Sequence, residues 1–477
     1  MSRALRLAVF LAAALGLTGC VVGPSYSPPT APAGAAAPLV AVNPAAETTT
    51  SAQDDWWRLY NDPRLDGYVR EAFTANADLA VAEANLSAAR AVLEASRAQQ
   101  YPSTTTVAGG IYGRDAETNE ILEIGGHKPE TIWKYDVILD ASYELDLFGR
   151  VRRSIQAAHA DADAVAAARD DLKVTVAAET ARAYAQICTL GEQIAVAQRT
   201  LDIVTHESDI STNRLQAGAG SEFEVVRAQA LTAQVRSTIP PLQGQRRAAL
   251  FQLTALLGRT PANAPAEAEA CVTAPVLASL IPVGDGAALL KRRPDVRRAD
   301  RRLAGEIARV GVATADLYPR ITLTGLYGGV GTELPALTEN RGLTWGVGPS
   351  ISWAFPNQAA PRARLHQARA QERAALAGFD SVVLQALKET STSLAAYSAE
   401  LDHYRALADA QAKAARAYEL AHGQFLAGGS TQLDLLTTEQ SLVSADAAVA
   451  ASHAALAQDQ IAIFKALGGG WGRQATP

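Results

Sequence analysis

Cysteine, methionine and aromatic residues are all scarce in this chain: three Cys, one Met and 6% aromatics in 477 residues. Three cysteines cannot staple so long a chain, which excludes the disulfide-dense scaffolds. The 35 glycines follow no three-residue period, so a collagen-like rod is excluded as well. A disordered chain does not fit either, because 48% of the residues are hydrophobic and only 19% are charged. Catalytic signatures are missing too. The seven histidines lack a His-Glu-x-x-His spacing and no Ser/His/Asp signature is present. Residues 325–331 are glycine-rich, but no Walker lysine follows, so a strand end with a small-residue loop explains them better. The basic stretch 291–302 sits in a chain of net charge −6, which argues against nucleic acid, and Pro294 and Asp295 suit the first turn of a helix. No enzyme activity, metal site or cofactor is expected.

Much of the hydrophobic fraction is alanine, in runs such as 162–168 and 445–456. Alanine is the best helix former but buries little apolar area, so the composition favours long, closely packed helices over a thick globular core.

At the N-terminus, Arg3 and Arg6 precede an apolar run at 7–15 that is too short to span a bilayer but suits a signal peptide. Leu17-Thr18-Gly19-Cys20 then reads as a lipobox, with residues 1–19 removed and Cys20 carrying a lipid such as palmitate. Val21 follows; as in bacterial lipoproteins without Asp at that position, outer-membrane placement is expected. Residues 20–55 are rich in Pro, Ala, Thr and Ser without a hydrophobic period, and read as an extended tether. Cys188 and Cys271 remain; an oxidising compartment allows a disulfide, and two buried thiols are the alternative.

The chain contains an internal duplication. Asn76-Ala77-Asp78-Leu79 and Tyr101-Pro102 match Arg293-Pro294-Asp295-Val296 and Tyr318-Pro319 at one constant offset, and Leu215-Gln216-Ala217-Gly218 matches Phe425-Leu426-Ala427-Gly428 at a similar one. We place a first repeat at 56–260, a linker at 261–285, a second repeat at 286–468 and a tail at 469–477. Each repeat holds a helix, a strand pair (about 103–148 and 320–356) and a helical hairpin (about 150–257 and 362–467).

No proline interrupts 150–217 or 362–427, and helices of that length span about 100 Å at 1.5 Å per residue. Ile187, Leu190, Ile194, Ala197, Leu201 and Val204 follow a 3-4 spacing, as do Leu394, Tyr397, Leu401 and Tyr404, which is a coiled-coil seam. Gly218 and Gly220 before Ser221, and Gly428 and Gly429 before Thr431, supply the hairpin turns, and Ser221 with Glu224 forms a capping-box pattern. In the strand pairs, Trp133, Tyr135, Val137, Leu139, Tyr143, Leu145 and Leu147 alternate with polar residues, and Leu343, Trp345, Val347, Ile351, Trp353 and Phe355 repeat the parity. Such strands reach about 45–50 Å, and aromatics near their ends suit a membrane barrel with one lipid face and one aqueous face. Four strands cannot close a conduit and an open edge cannot sit in lipid, so three chains supplying twelve strands are expected.

These features together resemble the TolC-like outer-membrane factors, in the NodT-type lipoprotein branch. The resemblance rests on Cys20-Val21-Val22-Gly23-Pro24-Ser25-Tyr26, Trp56-Trp57, Tyr143-Glu144-Leu145-Asp146-Leu147-Phe148-Gly149-Arg150, Leu289-Leu290-Lys291-Arg292-Arg293-Pro294-Asp295-Val296, Tyr318-Pro319 and the two hairpin turns. It implies a mainly α chain with a membrane β part: a homotrimer whose 12-stranded β-barrel continues into an α-helical coiled-coil barrel across the periplasm. It further implies a passive exit duct for drugs or metals that docks, at the hairpin turns, to a periplasmic membrane-fusion adaptor and an inner-membrane pump of the resistance-nodulation-division class. Leu433 takes the position of the family's apolar periplasmic constriction, and Thr437 stands where many members have an acid. Asp434 is either an aperture carboxylate or a solvated helix-start acid. ATP-driven protein export through the same architecture, and a pore-less structural lipoprotein, are the competing readings.

Overall fold

The computed structural model describes residues 21–40, 42–50, 54–114, 120, 123–126, 128, 131–277 and 279–469. The leader, Cys20, part of the 113–129 loop and most of the tail lie outside the described residues. In chain order the elements are β1 (Glu47–Thr48), α1 (Pro63–Ala75), α2 (Ala77–Ala98), β2 (Ser103–Gly113), β3 (Ile132–Leu145), α3 (Arg150–Gln216), α4 (Glu222–Leu256), α5 (Ala266–Glu269), β4 (Ile281–Pro282), α6 (Gly286–Arg292), α7 (Pro294–Ala315), β5 (Arg320–Gly331), β6 (Leu343–Ser352), α8 (Ala359–Leu426) and α9 (Gln432–Ala466). Helices α3 and α8 run 67 and 68 residues, so each is about 100 Å long.

Two compact units emerge, and they do not coincide with the two repeats. One gathers the residues up to Pro29 with Ser87–Val165 and Ala299–Phe379; the other gathers Thr30–Leu86, Ala166–Arg298 and the chain from Asp380 onward. Each unit therefore draws on both repeats. A rod cannot bury its apolar stripe alone, so each repeat finds its partner in the other.

The first unit holds an antiparallel sheet of order β2-β3-β5-β6, one strand pair from each repeat, joined where β3 meets β5. Two strands stop earlier than their alternation suggests. β3 ends at Leu145 because the Asp146 carboxylate accepts the backbone N–H groups of Val151 and Arg152 at 3.0 Å and starts α3, with Gly149 at φ 82° in the bend. β6 ends at Ser352, ahead of Trp353 to Pro356, where Pro356 has no N–H to donate. Two of the 325–331 glycines are steric: a Cβ on Gly328 would lie 2.1 Å from the Val137 carbonyl oxygen, and one on Gly329 2.1 Å from that of Leu337 in the following loop.

The second unit has a core of Trp56, Tyr184, Ile187, Leu253, Leu394, Ile461 and Phe464. Trp56 stacks on Phe464 at 4.7 Å. The seam residues Ile187, Leu190, Ile194, Val204, Leu394 and Tyr397 are buried, and Ala177, Ala178 and Ala183 are fully so, which is how small side chains bring helix axes close. Linker residues are belted onto this core. Cys188 in α3 is disulfide-bonded to Cys271. Arg246 of α4 donates to the carbonyls of Ile187 (3.3 Å), Cys271 (2.7 Å) and Glu269.

The N-terminal segment does not hang as an extended tether. In the first unit, Arg153 donates to the Val22 and Gly23 carbonyls, and Tyr26 bonds Asp300 under the Arg301 guanidinium. In the second, Ala35 is buried and β1 pairs in parallel with β4 of the linker. Aperiodic Pro/Ala composition describes the absence of helix and strand here, not the absence of packing.

Candidate membrane face and aperture

In the sheet, paired residues share a face, and the registers align the apolar ones: Tyr112 with Trp133, Leu139 with Tyr327, Tyr143 with Leu323, Tyr327 with Trp345, and Ile321 with Ile351. That face is exposed, with Trp345 at 70%, Val347 at 71% and Ile351 at 67%. At roughly 1.5–3 kcal/mol per large apolar side chain, leaving such a face in water forfeits many kcal/mol, so it demands an apolar covering. The opposite face carries Lys134, Asp136, Asp140, Ser142, Thr322, Thr324, Thr344 and Ser350. Aromatics gather toward both ends: Trp133 stacks on Tyr135 (5.5 Å), while Trp353 stacks on Phe355 and Phe148 on Tyr318 (both 4.6 Å). Below the sheet, Arg150 grips Glu144 at 2.7 and 2.5 Å. Among the described residues no helix is long and apolar enough to cross a membrane, which says nothing against a β-barrel.

The two hairpin turns are built alike. Gly218 (φ 74°) and Gly428 (φ 77°) take the left-handed conformation that ends α3 and α8. Gly220 and Gly429 are not left-handed; a Cβ on Gly220 would press to 3.2 Å from the Leu215 nitrogen. Ser221 and Glu224 form a reciprocal capping box, and so do Thr431 and Asp434. The Asp434 carboxylate accepts the Thr431 N–H at 3.0 Å and its hydroxyl at 2.6 Å, and these bonds hold its pKa below the usual carboxylate value. The structure thus gives Asp434 a capping role. Leu433 is 54% exposed, and the Thr437 hydroxyl donates back to the Leu433 carbonyl at 2.7 Å. The same exposed stripe continues through Ser441 and Ser444, whose hydroxyls also bond back to the helix. Beyond Asp434 it bears no charge.

Spacing alone did not disclose a third group. Glu207 of α3 and Glu439 of α9 are buried near each other, 5% and 1% exposed, with His422 of α8 3.5 Å from Glu207. No local pattern links residues so far apart in sequence. Among the described residues no cluster of three or more His, Cys, Asp or Glu could hold a metal ion.

An apolar-faced sheet and long antiparallel helical hairpins in one duplicated chain define a TolC-like outer-membrane channel. The profile of the family described as outer membrane efflux protein matches residues 68–259 and 287–469, and the chain belongs to that family. The unmatched stretch between the two segments covers the linker. Nodulation protein T of Rhizobium leguminosarum bv. viciae is 27% identical over 460 residues, covering 95% of this chain and 92% of that protein. The pyoverdine export outer membrane protein OpmQ of Pseudomonas putida is 29% identical over 463 residues, covering 93% and 94%. Among solved structures, the outer-membrane channel OprN superposes with a TM-score of 0.87 at 33% identity, covering 95% of this chain and 100% of that one. The protein is an outer-membrane efflux channel, and its family comprises channel proteins rather than enzymes.

Proposed function

We propose that three copies of the chain close a twelve-stranded barrel in the outer membrane and form a passive exit duct for small molecules, drugs or metals, from the periplasm. The observation that carries this reading is a four-stranded sheet with one exposed apolar face, whose outer strands β2 and β6 each pair on one side only among the described residues. Edge N–H and C=O groups in lipid each cost several kcal/mol, and joining β6 of one protomer to β2 of the next satisfies them. Cys20 carries a lipid anchor, and the neighbouring Val21 and Gly23 pack against Gly149 and Gly311 respectively. The helices stand in the periplasm, with the turns at Gly218 and Gly428 docking to a membrane-fusion adaptor that links the duct to an inner-membrane resistance-nodulation-division pump. Leu433 and Thr437 line the periplasmic aperture; energy comes from the pump.

The test combines mass and conductance. Purified full-length protein should have the mass of three protomers in detergent and should form ion-conducting channels in planar bilayers, and deleting the gene should raise susceptibility to some drugs, dyes or metals. Trimers without conductance would support the pore-less structural reading instead.

A further inference from the structure

The first turns of α9 have two faces. Leu433 and Thr437 are exposed, whereas Gln432, Leu435, Leu436 and Glu439 are buried. Neither carboxyl oxygen of Glu439 has a hydrogen-bond partner, and the Gln432 carbonyl oxygen lacks one too. The charge acting on Glu439 is a like one, from Glu207 of α3. From α8, Tyr418 lies close to both Glu207 and Glu439, and His422 stands beside Glu207 at 3.5 Å. Helix α4 packs on this stretch through Thr232, whose hydroxyl donates to the Val204 carbonyl, and among the described residues no Lys or Arg pairs with either carboxylate.

A carboxylate taken out of water with no donor and with a second acid nearby is strongly disfavoured in its charged form. Burial first, and Glu207 second, push Glu439 up to about 7. Relying on the channel reading above, we propose that Glu439 and Glu207 form a proton-binding site that latches the Leu433-bearing segment of α9 onto α3, and that losing the proton frees this segment and widens the aperture. The sign follows from the raised value. The neutral carboxyl supports packing below the ordinary carboxyl range, and that support declines as pH rises from there to about 7.

The test uses full-length protein in planar bilayers between about pH 6 and about pH 8, with hydrogen exchange of residues 432–441 over the same range, for wild type, Glu439→Gln and Glu207→Gln. Gln mimics the protonated acid in shape. Wild-type conductance should rise at least about twofold across this range, and protection of 432–441, corrected for intrinsic exchange, should drop about tenfold. Glu439→Gln should keep the low conductance and the high protection throughout. Glu207→Gln should move the transition to lower pH and serves as the second arm if Glu439→Gln folds poorly. The same pH profile in wild type and Glu439→Gln would overturn the latch while leaving the channel standing. Protection that responds to pH only in wild type, with no conductance in any sample, would support the latch and overturn the channel reading.

Discussion

The two repeats close the same joint with different chemistry. In the first, Asn76 lies between α1 and α2; its side-chain nitrogen donates to the Leu256 carbonyl at 3.2 Å and its oxygen accepts the Leu79 N–H at 3.1 Å. In the second, the corresponding residue is Arg293, between α6 and α7, and it donates to the Ala466 carbonyl at 2.8 Å. Both side chains thus hold the last turn of the returning helix, α4 or α9. The second repeat adds ions: Arg293 also pairs with Asp295 at 2.7 Å and Glu389 at 2.8 Å, and it is only 9% exposed. Duplication preserved the bond that the architecture needs and let its partners diverge. A neutral amide can be lost singly; a buried guanidinium leaves two carboxylates behind.

The comparison breaks most visibly at the ion network. Arg293→Ala should cost about 3–5 kcal/mol, because Asp295 and Glu389 lose their shared cation in a partly buried setting. Asn76→Ala should cost about 1–2 kcal/mol, one side-chain bond and one cap. Denaturant midpoints of the purified protein check the order; equal losses would mean that the second repeat gains nothing from its charges. Next in size is the staple between the first repeat and the linker. The disulfide closes a loop of 83 residues, so the Cys188→Ser, Cys271→Ser double variant should lose about 2–4 kcal/mol, read as a lower unfolding midpoint that reducing agent no longer shifts.

How far the sequence discloses this architecture depends on the range of each pattern. Alternation in 133–145 and 343–351 has a period of two and survives in isolation, so the strands and their apolar face are legible. So are the rods, whose seams repeat every three or four residues. The ties between them are not: Arg246 to Cys271, Arg293 to Ala466 and Glu207 beside Glu439 join residues that no local period relates. Pro240 and Pro241 lie inside α4, which runs from Glu222 to Leu256 and is supported by packing on both sides of the pair at Val235, Ile239, Ala249 and Leu250. The cap at Thr431-x-x-Asp434 was readable, being the same pattern as Ser221-x-x-Glu224, and it decides what the Asp434 carboxylate does.

Smaller effects distinguish the two hairpin turns. Phe223 and Leu433 each stand two residues beyond a cap, and both are exposed, at 73% and 54%. Under the aperture reading only the second lines the constriction. Leu433→Ala should therefore raise single-channel conductance by about twofold, a barrier change of under 1 kcal/mol, whereas Phe223→Ala should leave it unchanged. Equal responses would remove the reason for placing the aperture at α9.

The smallest effect concerns the caps themselves. Replacing Ser221 or Thr431 with Ala should each weaken the first turn of its helix by about 1 kcal/mol. Asp434 has its pKa lowered by the Thr431 hydroxyl and N–H, so its contribution is complete above the ordinary carboxyl value and disappears as pH falls through the depressed one. Hydrogen exchange at 432–436 should accordingly lose protection below about pH 4 in the wild type. In Asp434→Asn that acid step should vanish, because the amide oxygen still accepts the Thr431 N–H but no longer titrates. An acid step that persists in Asp434→Asn would assign it to another group and leave Asp434 without the capping role its geometry indicates.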